Sequence, residues 1–166
     1  MKSIKKNISI FRFVKYISFL TILSFMTGCS QSATSVFKKD PIYAQNIQYT
    51  KIGKIILNDE VSSLVNVTYL NSVDSSKWDN GKQNFLVGSY ISDEKSDEVY
   101  NLTLNDKGYE KIVDISKEDD IYKNIAFRNN WGQYSIMTFA DTENKTITLL
   151  YSDTKGNSTN VSFSKE

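Results

Sequence analysis

From Ile47 onward, apolar side chains fall mainly on alternate positions. Val65, Val67 and Tyr69 are separated by Asn66 and Thr68, and Tyr100, Leu102 and Leu104 by Asn101 and Thr103. Ile147, Leu149 and Tyr151 alternate in a run that holds Thr146 and Thr148, and Val161 and Phe163 repeat the habit. Side chains of an extended chain point to opposite faces in turn, so a period of two marks a strand with one buried face. The enrichment in Val, Ile, Thr, Tyr and Phe agrees. Strands are predicted near 47–57, 62–71, 84–92, 98–104, 109–115, 125–128, 133–140, 145–152 and 158–164. Asn105-Asp106-Lys107-Gly108 and Asp153-Thr154-Lys155-Gly156 read as tight turns, each closed by a glycine able to supply positive φ. One helical turn is predicted at Lys117–Lys123, opened by Ser116 with Asp119 three residues on, an approximate capping box. Glu60 to Val65 offers helical spacing too, but the alternating run overlaps it and strand is preferred. Eight or nine short strands joined by short turns predict an all-β fold, an immunoglobulin-like antiparallel sandwich with one short helical turn. The Cys…Trp…Cys signature of antibody domains is missing, and a small β-barrel is the competing architecture.

The first 28 residues follow another pattern. Residues 1–15 are basic and free of acids, and Tyr16 to Thr27 are almost continuously apolar. This order reads as a secretory signal peptide. Only 13 residues lie between Lys15 and Cys29, against the roughly 20 that span a bilayer. The stretch ends in Met26-Thr27-Gly28-Cys29-Ser30, which resembles the lipobox of bacterial lipoproteins, with Met26 where leucine is usual. The resemblance implies cleavage between Gly28 and Cys29, diacylglycerol on the Cys29 sulfur, and often an acyl chain such as palmitate on the new amino terminus. Ser30, where proteins retained in the inner membrane often carry aspartate, implies the outer membrane facing the periplasm if the cell has two membranes. The chain is also similar to a group of small bacterial membrane lipoproteins through Tyr49-Thr50-Lys51-Ile52-Gly53, Thr68-Tyr69-Leu70-Asn71 and Phe85-Leu86-Val87-Gly88. That similarity implies location and brings no catalytic residue and no ligand. The organisation expected is therefore a signal peptide over 1–28, the lipidated cysteine and a small, polar, flexible tether over 29–40, and a β-sandwich domain over 41–166.

Composition then removes whole classes of function. The first 28 residues hold five of the 20 Lys+Arg and none of the 19 Asp+Glu, so residues 29–166 carry 15 basic against 19 acidic side chains, a formal −4. A mildly acidic domain lacks the basic face a nucleic acid requires. The chain has no histidine and a single cysteine. Ser-His and Cys-His catalysis, His-ligated metals and an intrachain disulfide are thereby excluded, and no cofactor is expected.

The remaining candidates are carboxylates and tryptophans. Asp93, Glu94, Asp97 and Glu98 form one acidic cluster and Glu118, Asp119 and Asp120 another. Loop carboxylates suit Ca²⁺, yet neither cluster has EF-hand spacing, and solvated turn residues account for both. Paired carboxylates also hydrolyse glycosides, although 19 acids offer too many pairs for pairing alone to inform. Trp78 and Trp131 lie in polar stretches. Trp131, directly before an apolar strand, is expected in the core, and Trp78 as an exposed contact for an envelope protein or glycan. Within residues 29–166, five Asn-x-Ser/Thr sites (Asn66, Asn101, Asn144, Asn157 and Asn160) match by chance among fourteen asparagines. The functional expectation is a lipid-anchored, extracytoplasmic protein with a non-catalytic binding or structural role. A carboxylate-dependent envelope hydrolase and a calcium-stabilised binding module are the alternatives.

Overall fold

The alternating runs fold as strands, and the segments between them supply more helix than their composition suggests. The computed structural model describes residues 41–92 and 100–165. The expectations for residues 1–28, for Gly28 and Cys29, for the tether and for the Asp93–Glu98 cluster lie outside the described residues. The strands are β1 (Thr50–Leu57), β2 (Glu60–Tyr69), β3 (Lys82–Ile91), β4 (Tyr100–Leu104), β5 (Lys111–Asp114), β6 (Gln133–Ala140), β7 (Thr146–Asp153) and β8 (Ser158–Ser164). They form a five-stranded sheet in the order β1-β2-β3-β6-β5 and a three-stranded sheet in the order β4-β7-β8. Every ladder is antiparallel. No ladder joins the two sheets among the described residues, so the fold is a sandwich, not a closed barrel. The likeness to an immunoglobulin-like layout lies in these two layers; the strand order is the chain's own.

The core sits between the sheets, on the positions that alternation selects. Val65, Val67, Phe85 and Phe139 of the larger sheet meet Leu102, Ile147, Leu149, Val161 and Phe163 of the smaller one. Phe85 organises it: Tyr69 stacks on its ring at 5.1 Å, and Phe139 meets it edge-on at 5.8 Å. Both geometries suit aromatic quadrupoles. A buried hydrogen bond of 2.7 Å between Ser63 of β2 and the Tyr151 hydroxyl of β7 ties one sheet to the other. Along the β1–β8 side the sheets pack tightly at Gly53. A Cβ there would lie 2.8 Å from Thr159 Cγ2 and 3.0 Å from Val161 Cγ2. Lys51 closes the same side, donating to the Ser162 carbonyl at 2.6 Å with its ammonium 5.4 Å from the Phe163 ring centroid.

The outer face of the larger sheet is also covered, by segments expected to be strand or loop. Pro41–Gln48 is a helix, α1, where the 47–57 strand was predicted to start. Proline suits a first helical position because its φ is already set and its missing N–H is not needed there. The period-two spacing of Ile47 and Tyr49 had pointed to strand. After β2 the chain makes two four-residue turns of helix, α2 (Leu70–Val73) and α3 (Ser75–Trp78). A 3-10 turn occupies Asp120–Asn124, overlapping the predicted helical turn, and the Asp119 carboxylate accepts from the Ser116 amide at 2.7 Å as one half of a capping box does. In place of the single helical turn expected, the described residues hold four helical segments. Together they place Leu70 and Ile125 against Leu86 and Tyr134 in a second, smaller core.

Two further expectations need correction. Residues 125–128 are not a strand: Phe127 has φ +56°, which ends any extended run. At the turn after β4 the positive φ belongs to Asn105 (48°) and Asp106 (62°), not to Gly108. Asn58 and Asp59 make the same geometry between β1 and β2, the two-residue turn whose twist matches the flanking strands. Gly156, at φ +90°, does supply the turn after β7 as expected.

Candidate functional site

The two tryptophans have exchanged the places expected of them. Trp131 is 72% exposed. Trp78 is half-buried and packs on the second core, with the Lys77 ammonium 5.0 Å over its ring. The polar neighbours of Trp78 in sequence concealed this, because its cover comes from other elements. Asn71 holds it there: its amide nitrogen donates to the carbonyls of Trp78 (3.1 Å) and Lys82 (2.8 Å), and its oxygen accepts from the Asn84 amide (2.8 Å). Asn84, buried on the outer face of β3, donates to the same Trp78 carbonyl at 2.9 Å. These bonds fold α3 back over the sheet.

Trp131 belongs to a braced loop. The Asn129 side-chain oxygen accepts from the Trp131 amide at 3.0 Å and from the Gly132 amide. The Asn129 amide donates to the Tyr134 hydroxyl at 2.7 Å. Tyr134 can play this part because it lies across Gly88, its ladder partner on β3, where a Cβ would come within 2.6 Å of the ring. Five residues before Trp131, buried Ala126 precedes Phe127, whose ring is 51% exposed although its backbone sits in a region that bulky residues avoid. Arg128 follows. Its guanidinium stacks 4.7 Å from the Tyr122 ring centroid and donates to the Tyr122 carbonyl at 2.9 Å. A depression of about 430 Å³ beside this loop is lined by Tyr43, Lys123, Ile125, Phe127 and Arg128. Sequence reasoning passed over Phe127 and Arg128. The available signal was the absence of any acid between Asp120 and Asp141 in an otherwise acidic domain.

A second concavity, about 360 Å³, opens at the end of the sandwich where β2, β3 and the β6–β7 connection meet; Tyr69, Ser72, Asp79, Gln83, Asp141 and Lys165 line it. Four of its polar groups, Tyr69, Gln83, Asp141 and Lys165, form one chain of hydrogen bonds. The Tyr69 hydroxyl donates to Gln83 Oε1 at 2.7 Å, and the Gln83 amide donates to Asp141. Lys165 binds Asp141 at 3.0 Å and also donates to the Thr142 carbonyl at 2.6 Å. Burial, reinforced by the charges of Asp141 and Asp79, pushes the Tyr69 phenol up to about 12, so it stays a donor. The Lys165 hydrogen bond, helped by those of the Thr142 amide and Gln83, holds the Asp141 carboxyl below its ordinary value. A general acid for glycoside hydrolysis needs a carboxyl displaced upward. Asp141 is displaced downward, and Gln83, Thr142 and Lys165 all donate to its Oδ1. This concavity offers a fixed polar wall, suited to hydrogen bonding.

The Glu118–Asp120 cluster is dispersed by its own contacts. Asp119 turns to the Ser116 amide, and Asp120 pairs with Lys123 at 3.0 Å. Among the described residues no group of three or more acids or cysteines stands ready to hold a metal ion, and no helix is long and apolar enough to cross a membrane. No protein-family model, no curated protein and no solved structure matches the chain.

Proposed function

We propose that the protein is a lipid-anchored component of a bacterial cell envelope with a non-catalytic binding or structural role. One observation carries the reading: the chain's only cysteine, Cys29, directly follows a basic and then apolar leader of 28 residues, in the sequence Met26-Thr27-Gly28-Cys29-Ser30. A thiol is needed there as the nucleophile for lipid attachment, and glycine leaves the cleavage point unobstructed. Two or three acyl chains on such a residue anchor a protein stably, where one alone is marginal. The mature domain then stands outside the cytoplasm, on the outer membrane facing the periplasm if the cell has two membranes. The exposed Phe127 and Trp131 support contact as its mode of action, since exposed large aromatics are the usual anchors of binding surfaces.

Replacing Cys29 by Ala tests this. The variant should incorporate no labelled palmitate and should accumulate as an unprocessed or mislocalised precursor. Normal labelling and membrane partitioning of that variant would end the reading.

A further inference from the structure

We infer that the loop carrying Phe127, Arg128 and Trp131 is a second membrane contact, which seats the domain on the phospholipid surface to which Cys29 tethers it. The inference rests on the lipid-anchor reading and adds the orientation of the domain. Three observations support it.

The first is reach. From Cys29 to Pro41 the chain has twelve residues, which span at most about 40 Å when fully extended. The described chain begins at Pro41, and Tyr43, two residues on, lines the same depression as Phe127 and Arg128. The chain from Cys29 thus joins the domain at Pro41, two positions before a lining residue of this depression, and its reach lets this face meet the lipid surface.

The second is chemistry. Trp131 is 72% and Phe127 51% exposed, and indole and phenyl rings favour the boundary between headgroups and acyl chains. Arg128 stands between them in sequence with one of its five N–H donors given to the Tyr122 carbonyl. Its planar guanidinium suits a phosphate diester. Lys123 adds a second cation, though Asp120 shares it. The net negative charge of residues 29–166 opposes approach to an anionic bilayer, and local acids add to that cost. The run from Ile121 to Ala140, without a single acid, is where approach is cheapest.

The third is preorganisation. Asn129, Tyr134 and Gly88 fix the loop in the shape that holds Phe127 and Trp131 outward, and Phe127 keeps that shape against its backbone preference. Little ordering entropy is left to lose on contact.

The test uses the full mature chain isolated from membranes, carrying Trp78→Phe so that Trp131 is the only indole. Mass spectrometry of its N-terminal peptide reports acylation of Cys29. The protein is reconstituted in vesicles of phosphatidylethanolamine and phosphatidylglycerol, with and without brominated acyl chains. Trp131 emission should shift to shorter wavelength and be quenched by the brominated chains, and acrylamide quenching should fall about twofold or more. Arg128→Glu and Phe127→Ser should each restore most of the acrylamide quenching without altering the circular dichroism spectrum. Acylated, vesicle-bound protein whose Trp131 remains open to acrylamide and untouched by bromine overturns the inference and leaves the anchor reading intact. Unacylated protein that still shows bromine quenching overturns the anchor reading and supports the lipid contact. Protection of Trp131 in whole envelopes but not in vesicles assigns the loop to a protein or glycan and overturns the lipid contact.

Discussion

A large aromatic ring is read correctly only when its cover is known, and the two tryptophans make the point. Trp78 is flanked by Ser75, Ser76, Lys77, Asp79 and Asn80, yet it packs against the cluster formed by Leu70, Leu86, Ile125 and Tyr134. Trp131 precedes an apolar strand and is bare. Truncating Trp78 to Ala removes a half-buried ring and should cost about 2 kcal/mol, short of the 3–5 seen for fully buried rings. Trp131→Ala should stay within about 0.5 kcal/mol of the parent, as exposed substitutions usually do. A pair of urea titrations decides between them, and equal losses at both positions would contradict the observed exposures. None of this was legible locally. Six residues of polar sequence say where a segment meets water on its own account, and nothing about which other element folds over it.

At the scale of elements, legibility followed the apolar pattern that each segment carries in its own sequence. β7 buries one face, Ile147, Leu149, Tyr151 and Asp153, while the residues between them stay partly exposed, and its alternation announced it. β8 was placed at its observed limits for the same reason, and β6, which packs on both faces, by its density of apolar residues. β2 buries residues 65–69 on both faces because helical segments cover the outside of its sheet, and alternation still announced it because Asn66 and Thr68 stand on the outer face. α2 and α3, four residues each, have no room for a helical period and exist through the bonds of Asn71 and Asn84. The 125–132 segment is the extreme case: it has neither period, and its shape is set by a hydroxyl on β6. Tyr134→Phe keeps the ring over Gly88 and removes only that hydroxyl, so it should cost about 1 kcal/mol, the worth of one ordinary hydrogen bond. Its signature is local. Amide exchange at Asn129, Trp131 and Gly132 should quicken while the β3–β6 ladder stays protected; uniform acceleration would mean that the hydroxyl supports the whole sheet.

For the whole molecule, the ionisable groups placed by the fold define a stability plateau with two different edges. With no histidine in the chain, no side chain has an ordinary pKa near neutrality, so stability should hardly change between about pH 6 and 8. On the acid side, burial alone would raise the Asp153 carboxyl, but hydrogen bonds from the Asn157 side chain and from the Asn157 and Lys155 amides outweigh it and hold the group below its ordinary 3.8. Asp141 is lowered as well, by its Lys165 contact first. A folded-state pKa below the unfolded one means that the unfolded chain takes up protons first. The stabilisation from both carboxylates is present above about pH 4 and is lost as pH falls through their folded values. On the alkaline side the order reverses. Burial pushes Tyr69 and Tyr151 from 10.0 up to about 12, with Tyr151 also facing Tyr100 and Asp153 and only partly relieved by its bond to Ser63. The unfolded chain ionises these phenols first, so their contribution is complete below pH 10 and disappears as pH rises from about 10 through 12. Denaturant midpoints measured from pH 2 to 12 should therefore fall at both ends, with tyrosinate absorbance appearing together with unfolding at the upper one. Tyr151→Phe isolates the part played by this phenol: it gives up the Ser63 bond at neutral pH but should descend less steeply above pH 10. A parent protein whose midpoint holds through pH 11, or a Tyr151→Phe variant with an unchanged alkaline slope, would show that the link between the two sheets does not govern alkaline stability.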